Sequence, residues 1–262
     1  MRRNIKAKRI VVKIGTNVIT NRNGMLNFEL MKRLVAQISK IKNKGKYVII
    51  ITSGAIGAGM KELHLDSRPK DATMQQVCAA VGQNILMSKY HSLFSKHNIK
   101  VAQTLLTYQA FSNAKTLFNL RNSLNKLLKL GVVPIINEND PISIDEIGPS
   151  FGDNDNLSAL IASKMKAELL VILTDVEGLF NKNPDNKNAV LIKEVFNIDK
   201  GIEAINGKSS QLGLGGVQTK IKAAKTATKA GVIVVIANGK KSNVLLKVLN
   251  NEDIGTIFYP KR

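Results

Sequence analysis

The sequence holds one cysteine, no tryptophan and only 5% aromatic residues. A lone Cys78 cannot close an internal disulfide, so a stapled secreted fold is excluded and a reducing compartment, the cytoplasm, is expected. Nor has Cys78 a second cysteine to make a metal pair, and it reads as a small core residue on a helix. No apolar run approaches the roughly 18 residues that cross a bilayer. The opening MRRNIKAKRIVVKIG is charged but has no separate apolar segment with a small-residue cleavage site, so its apolar part reads as a first strand. The three histidines, His64, His91 and His97, fall in a polar stretch or on the helix before the third strand, and read as surface residues rather than general bases. The serine-hydrolase elbow Gly-x-Ser-x-Gly is missing, as are the Walker pattern and the dinucleotide fingerprint.

Acidic residues are also scarce. With 39 Lys+Arg against 19 Asp+Glu, the formal charge is +20. Such a balance suits a polyanionic partner or an acidic small substrate. The lysines are spread over many helix faces, however, and the one dense cluster (Arg2, Arg3, Lys6, Lys8, Arg9) is a short basic end. Lysine abundance throughout the chain is therefore the more economical reading. Nucleic-acid binding is the disfavoured alternative, because the aromatic interleaving of single-strand binders is missing.

What is present is ample for a core: 262 residues, 44% of them hydrophobic. Apolar β-branched runs alternate with longer segments of helical period, the pattern of a parallel sheet with covering helices. Strands are expected over residues 9–14, 47–52, 101–106, 132–136, 169–174 and 232–237, with a short last one over 256–259. Several are apolar at nearly every position, as in strands buried on both faces. Helices are expected over 28–44, 114–130, 157–166 and 217–230, the first two following Asn27 and Asn113 and stopping at Gly45 and Gly131. No repeat, low-complexity linker or composition break marks a boundary, so one doubly wound domain over residues 1–262 is expected.

In open α/β sheets ligands bind beyond the carboxyl ends of the strands. After the first expected strand stands Lys13-Ile14-Gly15; a lysine there either carries an ammonium to an anion or carboxylate, or snorkels to the sheet edge before a turn glycine, and the two readings weigh equally. After the second, Ser53-Gly54-Ala55-Ile56-Gly57-Ala58-Gly59 could offer N–H groups to an anion or simply pack a helix tightly. After the fourth come Asn137-Glu138-Asn139-Asp140-Pro141 and Gly152-Asp153-Asn154-Asp155-Asn156, two acid- and amide-rich clusters that could merely make turns and caps, but that in so basic a chain point first to polar recognition of a small molecule or an organised metal–phosphate site. After the fifth, Thr174-Asp175 suits a ribose or base edge or else a helix cap or turn, with Asn183-Pro184-Asp185 soon following, and Gly213-Leu214-Gly215-Gly216-Val217-Gln218-Thr219-Lys220 runs a glycine loop into a helix. A lysine one turn inside a helix opposes the macrodipole, which makes sense if an anion sits there.

Two lysines, glycine turns and an ionised carboxylate cluster, without a histidine base, fit phosphoryl transfer, which needs positioning and charge neutralisation. No base is required when the acceptor is a carboxylate, since a pKa of about 4.3 leaves it ionised at neutral pH.

The motifs VVKIGTNV, VIIITSGAIGAG, QQVCAAVGQ, VVPIINEND, FGDNDNLSA, LLVILTDVEGLF and GGVQTK, in that order along nearly the whole chain, resemble the amino-acid kinase family. INENDPIS with GDNDNLSA points to its glutamate-phosphorylating branch. The resemblance implies a three-layer α/β/α sandwich with a mostly parallel central sheet. It implies transfer of the γ-phosphoryl of ATP, carried with Mg2+, to the side-chain carboxylate of L-glutamate, the first step of proline biosynthesis. By position Lys13 and Lys220 look like the pair that neutralises the transferring group, and Asp155 like the aspartate that organises them. Ser53, Asp140 and Asn154 match glutamate contacts, Asp140 being suited to the amino group. Thr174 and Asp175 with Gly215, Gly216, Val217, Gln218, Thr219 and Lys220 match nucleotide contacts, and no all-protein metal site is implied. Leu214 departs from the threonine of many relatives, and Gln218 lies where a small or polar residue is usual. The family also implies a homo-oligomer, feedback inhibition by proline, and a glutamyl-phosphate reductase as consumer of the product, with no membrane. The RNA-binding-like C-terminal domain of many bacterial relatives is not expected here.

Overall fold

The structure, a computed structural model, describes residues 3–21, 25–142, 154–182, 186–204 and 214–260. In chain order these form β1 (Arg9–Ile14), α1 (Thr16–Ile19), α2 (Phe28–Asn43), β2 (Tyr47–Ile51), α3 (Ala55–Glu62), α4 (Ala72–Ser95), β3 (Val101–Leu106), α5 (Gln109–Ser112), α6 (Ala114–Lys129) and β4 (Val133–Glu138). A 3-10 turn (Asp140–Ile142) follows, then α7 (Asn154–Lys164), β5 (Leu169–Thr174), β6 (Glu194–Val195), α8 (Lys200–Ala204), α9 (Leu214–Lys229), β7 (Ile233–Asn238), α10 (Val244–Leu249) and β8 (Thr256–Phe258). The fold is α/β, with a mostly parallel eight-stranded sheet flanked by helices. By its internal contacts the chain divides into two compact units, residues 14–154 and residues 1–13 with 155–262.

In the unit of residues 14–154 the strand order is β3-β4-β2, all parallel. The register pairs Val101 with Val133 through Leu106 with Glu138, and Ile51 with Ile136. Two helix starts are fixed as the sequence suggests, Asn27 and Asn113 accepting hydrogen bonds from the backbone N–H groups of Leu30 and Thr116, and Asp71 caps α4 in the same way through Met74. Strand β4 is buried at all six positions, and it runs two residues past the expected end, through Asn137 and Glu138. Those two polar residues were expected beyond the end of the strand. They stay in the strand because their backbones continue the ladder with Leu105 and Leu106.

Helices α3 and α4 pack unusually close, and glycine is the reason. A Cβ on Gly82 would stand 1.9 Å from the Ala55 carbonyl oxygen, and one on Gly59 would stand 1.8 Å from that of Cys78. Gly59 thus serves helix packing. Gly54, at φ 98°, makes the left-handed turn that leads β2 into α3. Cys78 is buried on α4, and burial pushes its thiol pKa up.

In the other unit the order is β1-β5-β7-β8-β6. Strand β5 is buried at every position and pairs parallel with β7, from Leu169–Ile233 to Thr174–Asn238. Strand β8 pairs antiparallel with β7 and parallel with the two-residue β6, which is too short to announce itself in sequence. Arg3 anchors the N-terminal segment here, donating to the carbonyls of Lys193, Glu252, Ile254 and Gly255. Two helices begin three residues earlier than expected. Helix α7 starts at Asn154 and α9 at Leu214, so Gly215 and Gly216 lie in the first turn of α9 rather than in a loop.

Candidate active site

In the unit that joins residues 1–13 to 155–262, three charged side chains meet inside the protein. Lys13 is the fifth residue of β1, Asp155 the second of α7 and Lys220 the seventh of α9. Lys13 Nζ lies 2.7 Å from Asp155 Oδ1 and Lys220 Nζ lies 3.0 Å from Oδ2. Asp155 is wholly buried, and Lys13 and Lys220 are 4% and 9% exposed. Thr219 Oγ1 donates to Asp155 Oδ2 at 3.1 Å, and Lys220 Nζ also donates to the Gly216 carbonyl at 2.7 Å. One carboxylate therefore holds two ammonium groups, one on each oxygen.

The electrostatics follow from that sharing. Burial alone would push the Asp155 carboxyl up, but the charges of Lys13 and Lys220 and the hydrogen bonds they donate hold it down at about 2. At neutral pH the carboxylate is ionised and the triad keeps one positive charge in excess. Taking charge out of water is expensive unless opposite charge compensates it, so such a group favours a visiting anion.

The start of α9 corrects the expectation drawn for Lys220. It stands nearly two turns inside the helix, and the macrodipole fades within the first turn. Asp155, rather than opposition to the dipole, accounts for its placement. Gly215 falls in the first turn, followed by Gly216, Val217 and Gln218, with Gln218 exposed. Thr174 is buried at the end of β5 and donates its hydroxyl to Asp175 Oδ1 at 3.2 Å. The expected sites at Gly152, Asp153, Gly213 and 183–185 lie outside the described residues.

In the unit of residues 14–154 a cavity of about 460 Å3 opens at the carboxyl ends of β2 and β4, within the size range of small-molecule pockets. Ser53, Asp140 and Asn154, all three expected substrate contacts, line it, together with Gly54, Gly57, Asn137 and Arg68. Asn154 Nδ2 donates to the Thr52 carbonyl at 2.8 Å, to Ser53 Oγ at 3.0 Å and to Asn137 Oδ1 at 3.0 Å. Beneath them Tyr90 and Thr52 share a buried hydroxyl–hydroxyl bond of 2.9 Å, and burial pushes the tyrosine pKa up. Arg68 was not legible in sequence as a site residue: it sits in the polar stretch between α3 and α4, with no motif around it. Among the described residues no cluster of three His, Cys, Asp or Glu side chains could hold a metal ion, and no helix is long and apolar enough to cross a membrane.

A buried carboxylate holding two lysines, one from a strand and one from a helix of an α/β scaffold, is chemically suited to gathering phosphoryl oxygens. Residues 8–238 match the amino acid kinase family, and the chain belongs to it. Among curated proteins it is similar to the glutamate 5-kinase of Methanosarcina barkeri, with 48% identity over 97% of this chain and 69% of that protein. It is likewise similar to the glutamate 5-kinase of Clostridium acetobutylicum, with 45% identity over 97% of this chain and 95% of that one. Among solved structures, a carbamate kinase from Giardia lamblia bound to AMP-PNP matches with a TM-score of 0.69 at 17% identity, covering 97% of this chain and 99% of its own. A UMP kinase from Bacillus anthracis matches with a TM-score of 0.64 at 16% identity, covering 98% and 97%. At these identities the two structures establish the shared fold.

Proposed function

We infer that this chain transfers the γ-phosphoryl group of ATP to the side-chain carboxylate of L-glutamate, forming L-glutamyl 5-phosphate, the first step of proline biosynthesis. The observation that carries the chemistry is the Lys13–Asp155–Lys220 triad. The acceptor is already an anion at neutral pH, so the protein need not remove a proton. Its task is to gather two anions and to neutralise charge as it moves from nucleotide to amino acid. Lys13 and Lys220 supply that neutralisation. Asp155, ionised and immobile, holds both ammonium groups in place before the nucleotide arrives, so little reorganisation accompanies transfer.

Glutamate is assigned to the cavity of residues 14–154. Asp140 meets the substrate ammonium, while Ser53 and Asn154 fix its polar atoms. The nucleotide is assigned to Thr174, Asp175 and the opening of α9 from Gly215 to Lys220. Mg2+ carried with the nucleotide would supply further neutralisation of phosphate charge. The donor set fits a metal carried on the nucleotide rather than one held by the protein, because Asp155 is already committed to two lysines. Family membership also supports proline as end-product inhibitor, a homo-oligomeric assembly, a reductase that consumes the labile acyl phosphate, and a cytoplasmic setting.

The test is ATP-dependent hydroxamate formation from L-glutamate in the presence of hydroxylamine, which traps an acyl phosphate, run beside aspartate, N-acetylglutamate and UMP. Glutamate-dependent product supports the reading; tenfold or greater preference for another acceptor replaces it.

A further inference from the structure

Beneath the cavity lies a row of three amide side chains contributed by three separate elements. Asn154 Nδ2 donates to Asn137 Oδ1 at 3.0 Å, and Asn137 Nδ2 donates in turn to Gln83 Oε1 at 2.9 Å. All three residues are more than nine-tenths buried. Asn154 and Asn137 line the cavity, whereas Gln83 does not.

The direction of this row is fixed from one end. Asn154 Nδ2 also faces the Thr52 backbone carbonyl at 2.8 Å, and a carbonyl can only accept. The nitrogen of Asn154 must therefore point that way, Asn137 must offer it an oxygen, and Asn137 must then turn its nitrogen to Gln83. A flipped Asn137 would set nitrogen against nitrogen at one end and oxygen against oxygen at the other. Gln83 thus supplies the acceptor that keeps the Asn137 amide in its working orientation. At the other end of the row Asn154 Oδ1 is buried and has no hydrogen-bond partner among the described residues, and the residue itself lines the cavity.

Gln83 bears a cost for this position. Its Nε2 is buried, also with no partner among the described residues, which an apolar side chain of similar length would avoid. Its neighbour Gly82 brings the helix there: without a Cβ, α4 approaches the Ala55 carbonyl and the Gly59 N–H closely.

We propose that Gln83 is a positioning residue for the amino-acid substrate: by accepting from Asn137 Nδ2 it holds Asn137, and with it the Asn154 amide that the Thr52 carbonyl has already turned, in place at the cavity wall. The proposal rests on the assignment of glutamate to this cavity. Its test is steady-state kinetics of the full-length protein with Gln83→Met, which keeps the length and removes the amide acceptor, and with Gln83→Glu, which restores an oxygen. Gln83→Met should raise KM for L-glutamate about tenfold, with KM for ATP, kcat and Tm close to wild type, and Gln83→Glu should recover most of the loss. An unchanged glutamate KM in Gln83→Met overturns the proposal. So does a matching rise in both KM values with a fall in Tm, which is the mark of general packing damage. Should Gln83→Met fail to fold, the same split is read in Gln83→Asn, whose amide stops one methylene short of Asn137. A wild-type protein that does not phosphorylate glutamate defeats the functional reading and this proposal together; an active wild type with an unaffected variant defeats this proposal alone.

Discussion

Replacing Asp155 with asparagine keeps the shape of the side chain and removes the charge that two buried lysines share. The carboxyl is held at about 2 against an ordinary 3.8, and at 1.36 kcal/mol per unit this is a net stabilisation of about 2–3 kcal/mol. Counting instead the penalty for leaving buried cations without their partner gives about 3–5 kcal/mol. The second figure is larger because it counts buried positive charge left uncompensated, while the first already subtracts the burial of the carboxylate. A loss of roughly 2–4 kcal/mol lowers Tm by roughly 5–15 °C in a chain of this size. Catalysis should suffer by at least about 10²-fold in kcat, because unrestrained lysines no longer meet the phosphoryl group in one geometry. The sign of the pH dependence is set by a folded value below the unfolded one. The stabilisation is complete above about pH 4 and drains away as pH falls through about 2. The Tm gap between wild type and Asp155→Asn should therefore be constant from about pH 5 to 8 and close below about pH 4. Circular-dichroism melts across pH, with hydroxamate assays at neutral pH, measure both effects. An Asp155→Asn protein with kcat within threefold of wild type and an unchanged Tm would refute the reasoning.

Asp140→Asn should raise KM for L-glutamate by about tenfold or more, since a lost charge-assisted hydrogen bond is worth about 1.5–3 kcal/mol, and should leave KM for ATP unchanged. Thr219→Val removes one of the donors to Asp155 and should lower kcat about threefold to tenfold, for a bond worth about 0.5–1.5 kcal/mol. Gly82→Ala forces a methyl against the Ala55 carbonyl, so a denaturant melt should show a stability loss of about 1–3 kcal/mol, and a wild-type midpoint would contradict the close approach of α3 and α4.

Much of the sheet was legible because its strands are buried on both faces and read as uninterrupted apolar runs, as β5 does. Lys13 was visible as a charge out of place in such a run, and Asp155 and Lys220 emerged once the motifs were taken together. Their union was not visible, because the carboxylate and the second lysine lie 65 residues apart and only the fold supplies the distance. Boundaries failed where polar residues belong inside elements: Asn137 and Glu138 look like turn residues but complete β4, and the glycines before Val217 look like a loop but open α9. The Gln83–Asn137 bond joins partners 54 residues apart, and a single glutamine in an apolar helix gives no sign that a strand asparagine awaits it. Of the glycine turn after β2, Gly54 and Gly57 line the cavity whereas Gly59 packs against α4, a division that depends on a helix not yet in place when the turn is read as sequence.

The central claim is that the two lysines gathered by Asp155 carry the charge of the transferring phosphoryl group. Single-turnover transfer from γ-labelled ATP to L-glutamate, measured in Lys13→Ala and in Lys220→Ala, tests it most directly. Each variant should lose about 10²-fold or more in the transfer rate, corresponding to about 3 kcal/mol of transition-state stabilisation per lysine, with glutamate affinity little changed. Transfer at near wild-type rates in both variants would contradict it.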